Sequence, residues 1–246
     1  SLVSVSAHAG EMSVAGSASM NVEGYSGENL NGGTGYSMGN QLTFSGSGEL
    51  DNGMTVSLSF VLDQGDDETD VSGATAPFDS HSVKVSSDTL GTLTLAGEGG
   101  SSAASSIDGS AAGDIWDTFD GARGAVTAVA VSDSAPGDNS LFYTLPSMMD
   151  GLDINLSYQP QGSNRESGTG WGVTYTGIDG LTAKYATTDE VGTTTALSGD
   201  QTVYNVSYAI GPVTATVSNS DFDVTTVASD QETSSYAISY TISDEL

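Results

Sequence analysis

Carboxylates dominate the chemistry available to this chain. Its 246 residues hold 32 Asp and Glu against 4 Lys and Arg, with 2 His, no Cys and a formal net charge of -28. Without cysteine there is neither a disulfide framework nor a thiolate metal site. The histidines are His8 and His81, too few for a well-supported Ser-His-Asp arrangement, and no serine lies in a nucleophile-elbow motif. So many acids produce chance pairs, and no spacing among them marks a glycosidase. Hard cations suit such oxygens better. The run Asp63, Asp66, Asp67, Glu68 and Asp70 is a weak calcium candidate, although it lacks the EF-hand glycine and terminal acid, and its bland reading is a solvated loop. A chain this acidic repels phosphate, which argues against nucleic acid. The expectation is a non-enzyme without a cofactor. A second acidic cluster, Asp108, Asp114, Asp117 and Asp120, is interleaved with Ile115, Trp116 and Phe119 and followed by Arg123. What it can do depends on the elements that carry it.

Those elements announce themselves by strict apolar/polar alternation. Leu152, Ile154, Leu156 and Tyr158 alternate with Asp153, Asn155, Ser157 and Gln159; Tyr204, Val206, Tyr208 and Ile210 alternate with Asn205, Ser207 and Ala209; Tyr236, Ile238, Tyr240 and Ile242 close the series. Successive strand side chains point to opposite faces, so each such strand has one oily and one wet side. No run of eighteen apolar residues offers a transmembrane helix. Only 37% of the residues are hydrophobic, meagre for a soluble core of this length and well suited to a barrel with oil outside and water inside.

Connection lengths supply a topology. Strands are expected from about Glu11 to Tyr25, Gln41 to Leu50, Met54 to Leu62, His81 to Ser86 and Thr92 to Glu98, with a glycine-rich loop around Gly32–Gly33 and further strand pairs flanking Pro146–Gly151, Gly177–Gly180 and Gly211–Pro212. Asp51-Asn52-Gly53 predicts a tight hairpin with both central residues at positive φ. Every second connection is tight and the others are long, the parity of an outer-membrane barrel with short periplasmic turns and longer external loops. About twelve strands are counted, in an all-β, transmembrane, antiparallel up-and-down barrel. At the N-terminus, Ala7-His8-Ala9 is a small-x-small pattern of the kind cut by signal peptidase, so residues 1–9 read as a signal-peptide remnant and 10–246 as the barrel. The alternative is a short first strand.

The stretch Asp138-Asn139-Ser140-Leu141-Phe142-Tyr143-Thr144-Leu145-Pro146 and its hairpin partner from Gly151 to Tyr158 resemble the Gram-negative general porins, trimeric sixteen-stranded diffusion channels. The pattern covers nearly the whole chain. The resemblance implies a barrel of sixteen strands, of which the last four or so are missing here, since the chain stops at Asp244-Glu245-Leu246 where such porins continue to an aromatic terminal residue. It also implies a homotrimer in outer-membrane lipid, reached by export through the signal peptide, and a long third loop, here Gly99 to Asp138, folded into the lumen. On that loop Ile115, Trp116 and Phe119 would pin the chain to the wall. Asp108, Asp114, Asp117 and Asp120 would then face the water, where carboxylate clusters favour cations, with Arg123 pairing one of them. The bland alternative is an exposed, solvated loop.

Lys84 and Lys184 fall on the polar phase of their strands and should face the lumen, because a charge on the lipid face near mid-bilayer costs about 2–4 kcal/mol. There they would offset the acidic field or pair with wall carboxylates. The departure from the porin pattern is charge: Lys84, Arg123, Arg165 and Lys184 are the entire basic inventory, too few for rows of bases across the pore. The sequence thus points to a passive, cation-biased outer-membrane channel for small hydrophilic solutes and ions. A secreted or surface-attached acidic all-β structural protein, adhesin or surface-layer domain is the alternative.

Overall fold

The computed structural model describes residues 12–25, 33–63, 80–107, 111, 139–161, 167–190, 199–224 and 230–242. They form one sheet of twelve antiparallel strands in strict sequence order, β1(Ser13–Tyr25), β2(Gly33–Glu49), β3(Thr55–Asp63), β4(Ser80–Ser87), β5(Gly91–Glu98), β6(Ser140–Thr144), β7(Leu152–Gln159), β8(Gly168–Tyr175), β9(Leu181–Glu190), β10(Gly199–Ile210), β11(Val213–Val224) and β12(Gln231–Tyr240). Each strand pairs only with its chain neighbours. Such an up-and-down meander is the wall of a transmembrane barrel. Among the described residues β1 and β12 are the edges of the sheet. The expected signal segment, residues 1–9, lies outside the described residues.

Register shows why the alternation matters. Tyr185 pairs with Tyr204, Ala183 with Val206, Val206 with Val217, and Val217 with Tyr236, so the large apolar groups of adjacent strands fall on one face. That face is exposed: Ile238 is 81% and Tyr236 74% accessible, and Leu58, Leu95, Leu156 and Trp171 are exposed with them. The opposite face carries hydroxyls in matched rows, such as Ser45 with Ser59 and Ser59 with Ser82. Several close across strands: Ser13 Oγ lies 2.7 Å from Ser45 Oγ, and Ser218 Oγ 2.6 Å from Ser235 Oγ. A sheet exposing its oily face has its hydrophobic partner in lipid rather than in a second layer.

Two local expectations are corrected. The glycine-rich segment around Gly32–Gly33 is not all loop: β2 begins at Gly33, and Gly33 to Asn40 pair with Ala18 to Tyr25. Local glycine content signals a loop, but the long partner strand β1 supplies ladder hydrogen bonds that override it. The Asp51-Asn52-Gly53 connection is not a two-residue turn with paired positive φ. Gly53 has φ 80 whereas Asn52 does not have a positive φ, and the Leu50 amide donates to Met54 O at 2.7 Å while the Gly53 amide donates to Leu50 O at 2.8 Å. This is the three-residue hairpin with glycine in the left-handed position; the Asn52 side chain accepts from the Met54 amide at 3.2 Å.

Candidate pore constriction

The longest interruption of the meander separates β5 from β6, and its root is built to turn the chain. At the β4–β5 ladder the register shifts: His81 pairs with Glu98 but Ser82 with Ala96, which leaves Gly97 as an extra residue. Bulges of this kind re-aim a strand. Gly99 follows with φ 68, and Asn139 re-enters the sheet with φ 54, its amide donating to Gly97 O at 3.1 Å. The departing and returning chains are therefore joined at one point. Beside it the His81 ring is stacked parallel to Phe60, with centroids 6.4 Å apart, and His81 Nδ1 lies 3.9 Å from Glu98 Oε2.

From this root the chain runs onto the hydroxyl face. Residues 103–107 make a compact turn closed by the Ser106 amide to Ser102 O at 3.1 Å and the Ile107 amide to Ala104 O at 3.0 Å. Ser105 Oγ accepts from the Ser102 amide at 2.8 Å and Ser106 Oγ donates to Ala103 O at 2.7 Å. The turn is fastened to the wall by its own backbone: the Ala103 amide donates to Ser157 Oγ of β7 at 2.9 Å and the Ala104 amide to Thr188 Oγ1 of β9 at 3.0 Å. Later in the chain the Ala111 amide donates to Ser235 Oγ of β12 at 2.7 Å. These three contacts lie on the inner faces of β7, β9 and β12.

Beneath it lies the one buried hydrophobic cluster among the described residues, Ala103, Ala104, Ile107, Ala186 and Val203. Ala186 and Val203 occupy the polar phase of β9 and β10, paired with each other and facing the loop. Glycines on β8 make the space. A Cβ at Gly170 would stand 2.6 Å from Thr188 Oγ1 and 2.7 Å from Ser157 Oγ, and one at Gly172 3.0 Å from the Ala186 Cβ. The loop lies flat because β8 presents no side chain there.

This attachment is not among the sequence-predicted anchors. Ile115, Trp116 and Phe119, with Asp108, Asp114, Asp117, Asp120 and Arg123, fall outside the described residues, as do Asp66, Asp67 and Asp70 of the calcium candidate, while Asp63 ends β3. The anchors that sequence reasoning misses are Ala103, Ala104 and Ile107. Their signal is a lapse in the strand code: Ala186 and Val203 are apolar where the wall is polar, and Gly168, Gly170 and Gly172 occupy three successive wall positions of β8.

Of the two strand lysines, Lys84 pairs with Ser57 and Thr94, and Lys184 with Thr174 and Asn205. Both are on the hydroxyl face, in phase with the loop-bearing residues, and neither makes an ion pair among the described residues. Lys84 is exposed and Lys184 half-buried.

A twelve-stranded meander with its oily face outward and a loop fastened across its hydroxyl face is the architecture of a pore-forming outer-membrane protein. The model of the Gram-negative porin family matches residues 1–244, and the chain belongs to that family, whose members form outer-membrane channels. Solved structures similar to it include mutants of the Rhodopseudomonas blastica porin. One is 16% identical with a TM-score of 0.50, and another 18% identical with a TM-score of 0.47; each match covers 95% of this chain and 91% of the other. No curated protein matches the chain.

Proposed function

We propose that this porin is a passive diffusion channel for small hydrophilic solutes and ions, biased towards cations by carboxylates of the loop between β5 and β6. The observation that carries the reading is the attachment of Ala103, Ala104 and Ala111 to hydroxyls on three strands of the inner wall. In the sequence Asp108 directly follows the buried Ile107, with Asp114, Asp117 and Asp120 a few residues further on. Carboxylates in a narrow aqueous passage lower the energy of a cation and raise that of an anion. The anchoring roles of Ile115, Trp116 and Phe119 and the pairing of Arg123 belong to the same proposal. So do a homotrimer and export through the segment 1–9.

Reversal potential across a planar bilayer under a salt gradient tests the bias. The unmodified channel is expected to favour cations, and the combined Asp114→Asn, Asp117→Asn and Asp120→Asn substitutions should reduce the cation-to-anion permeability ratio by about threefold or more. An unchanged ratio would remove these acids from the filter. Lys84→Gln and Lys184→Gln should move the ratio the other way, because each removes an inward positive charge without creating a lipid-facing one.

A further inference from the structure

The tight connections at one end of the sheet form a joined rim. Residues 88–90 link β4 to β5, residues 145–151 link β6 to β7, and residues 176–180 link β8 to β9. Hydrogen bonds tie these connections sideways: the Tyr143 hydroxyl donates to Leu90 O, and the Thr176 amide donates to Gly151 O at 2.7 Å. Packing between them is equally close, since a Cβ at Gly91 would collide with Thr144 O and one at Gly151 with the Gly177 nitrogen. Large apolar side chains stand on this stitched rim. Leu90, Met148, Met149 and Ile178 are each more than half exposed. Every one of the three connections also holds an exposed aspartate, Asp88, Asp150 or Asp179, and none contains Lys or Arg.

Single exposed apolar residues are ordinary, but their recurrence on adjacent, rigidly joined turns marks a contact surface. Charge selects its occupant. A second copy of this chain carries the same net charge of -28 and is repelled. An anionic lipid surface is repelled as well, and the Lys and Arg that hold interfacial segments to lipid are missing from these turns. A basic polypeptide meets both features, with its apolar side chains on the tips and its charges on the aspartates. Alternate connections stand two strands apart, roughly 10–13 Å along the rim given strand spacing and tilt. Residues seven or eight apart on one face of an α-helix are separated by about 10.5–12 Å, so one helix reaches all three turns. We infer that this rim, on the side that short turns mark as periplasmic, is a docking surface for a basic amphipathic helix of another protein. The inference rests on the membrane-spanning reading of the sheet.

The chain has no cysteine, so Ser147→Cys accepts one environment-sensitive dye beside Met148. The labelled, folded, full-length protein is held in phosphatidylcholine nanodiscs and titrated with a synthetic helix of about twenty residues, leucine on one face and lysine on the other. A saturable dye response is expected. Leu90→Ser with Met148→Ser and Ile178→Ser should weaken the affinity about tenfold or more, and Asp88→Asn with Asp150→Asn and Asp179→Asn should do the same. These substitutions leave the backbone hydrogen bonds of the turns in place. A helix with serine in place of leucine should bind about tenfold less well. The inference is overturned by the absence of a saturable response, by an affinity that neither set of turn substitutions changes, or by equal binding of the two helices. Quenching of the label by bromine-substituted acyl chains before any helix is added would put the tips in lipid and overturn it too. Conductance of the same preparations separates the readings: absent binding with intact conductance defeats only the docking surface, and absence of conductance throughout defeats the channel.

Discussion

Replacing Gly170 by valine is expected to free the loop between β5 and β6 from the wall and to raise single-channel conductance. A Cβ at this position would stand 2.6 Å from Thr188 Oγ1, 2.7 Å from Ser157 Oγ and 2.9 Å from Thr187 O, all closer than ordinary contact. The two hydroxyls are the acceptors for the Ala104 and Ala103 amides, so relieving the clash moves both away from the loop. Each amide left unsatisfied in a buried site costs about 1–3 kcal/mol, and displacement also opens the cluster of Ala103, Ala104, Ile107, Ala186 and Val203. A docked state weakened by several kcal/mol ceases to dominate, since about 1.4 kcal/mol is a factor of ten in population. Larger, noisier openings are the expected record. Ser157→Ala with Thr188→Ala should act in the same direction without overpacking. Gly46→Val on the outer face of β2, where a Cβ meets nothing within 4 Å, should leave conductance unchanged. If folded Gly170→Val channels conduct like the parent, the docked turn does not limit the passage.

The second large effect is a contrast between neighbours on one strand. Val206 lies on the exposed apolar face between Tyr204 and Tyr208, paired with Ala183 and Val217; Ser207, one residue on, lies on the hydroxyl face between Thr182 and Thr216. Val206→Lys should cost about 2–4 kcal/mol of stability in vesicles, the penalty for a charge on the lipid face of a barrel. Ser207→Lys should stay within about 0.5 kcal/mol of the parent, as substitutions in water usually do, while lowering cation preference by adding a positive charge to the lumen. Urea midpoints measured in the same lipid decide between them. Equal destabilisation by both would contradict the assignment of lipid and water to the two faces.

The two faces are legible in the amino-acid order alone because strand geometry has a period of two and any barrel in lipid must keep oil on one side. Leu152 to Tyr158 and Tyr204 to Ile210 each announce their facing locally, and the alternation of tight and long connections follows from the strands running up and down. Turn chemistry is less legible. Asn52-Gly53 signals a hairpin, but whether the loop holds two or three residues depends on how β2 and β3 register, and that is a property of the pair. Likewise Gly33 to Asn40 are strand because β1 is long enough to hold them.

Sequence by itself determined the class of element, the order of the strands, the inward phase of Lys84 and Lys184 and the acidity of the long loop, since each depends on residues close together in the chain. Tertiary structure alone decided how that loop meets the wall. Ala103 and Ser157 are 54 residues apart, Ala104 and Thr188 are 84, and Ala111 and Ser235 are 124. Their hydrogen bonds use backbone amides, which every residue but proline possesses and no side-chain pattern advertises. The small residues at Gly170, Gly172 and Ala186 mark a space whose occupant can be known only once the sheet has brought β7 through β12 beneath the same stretch of chain.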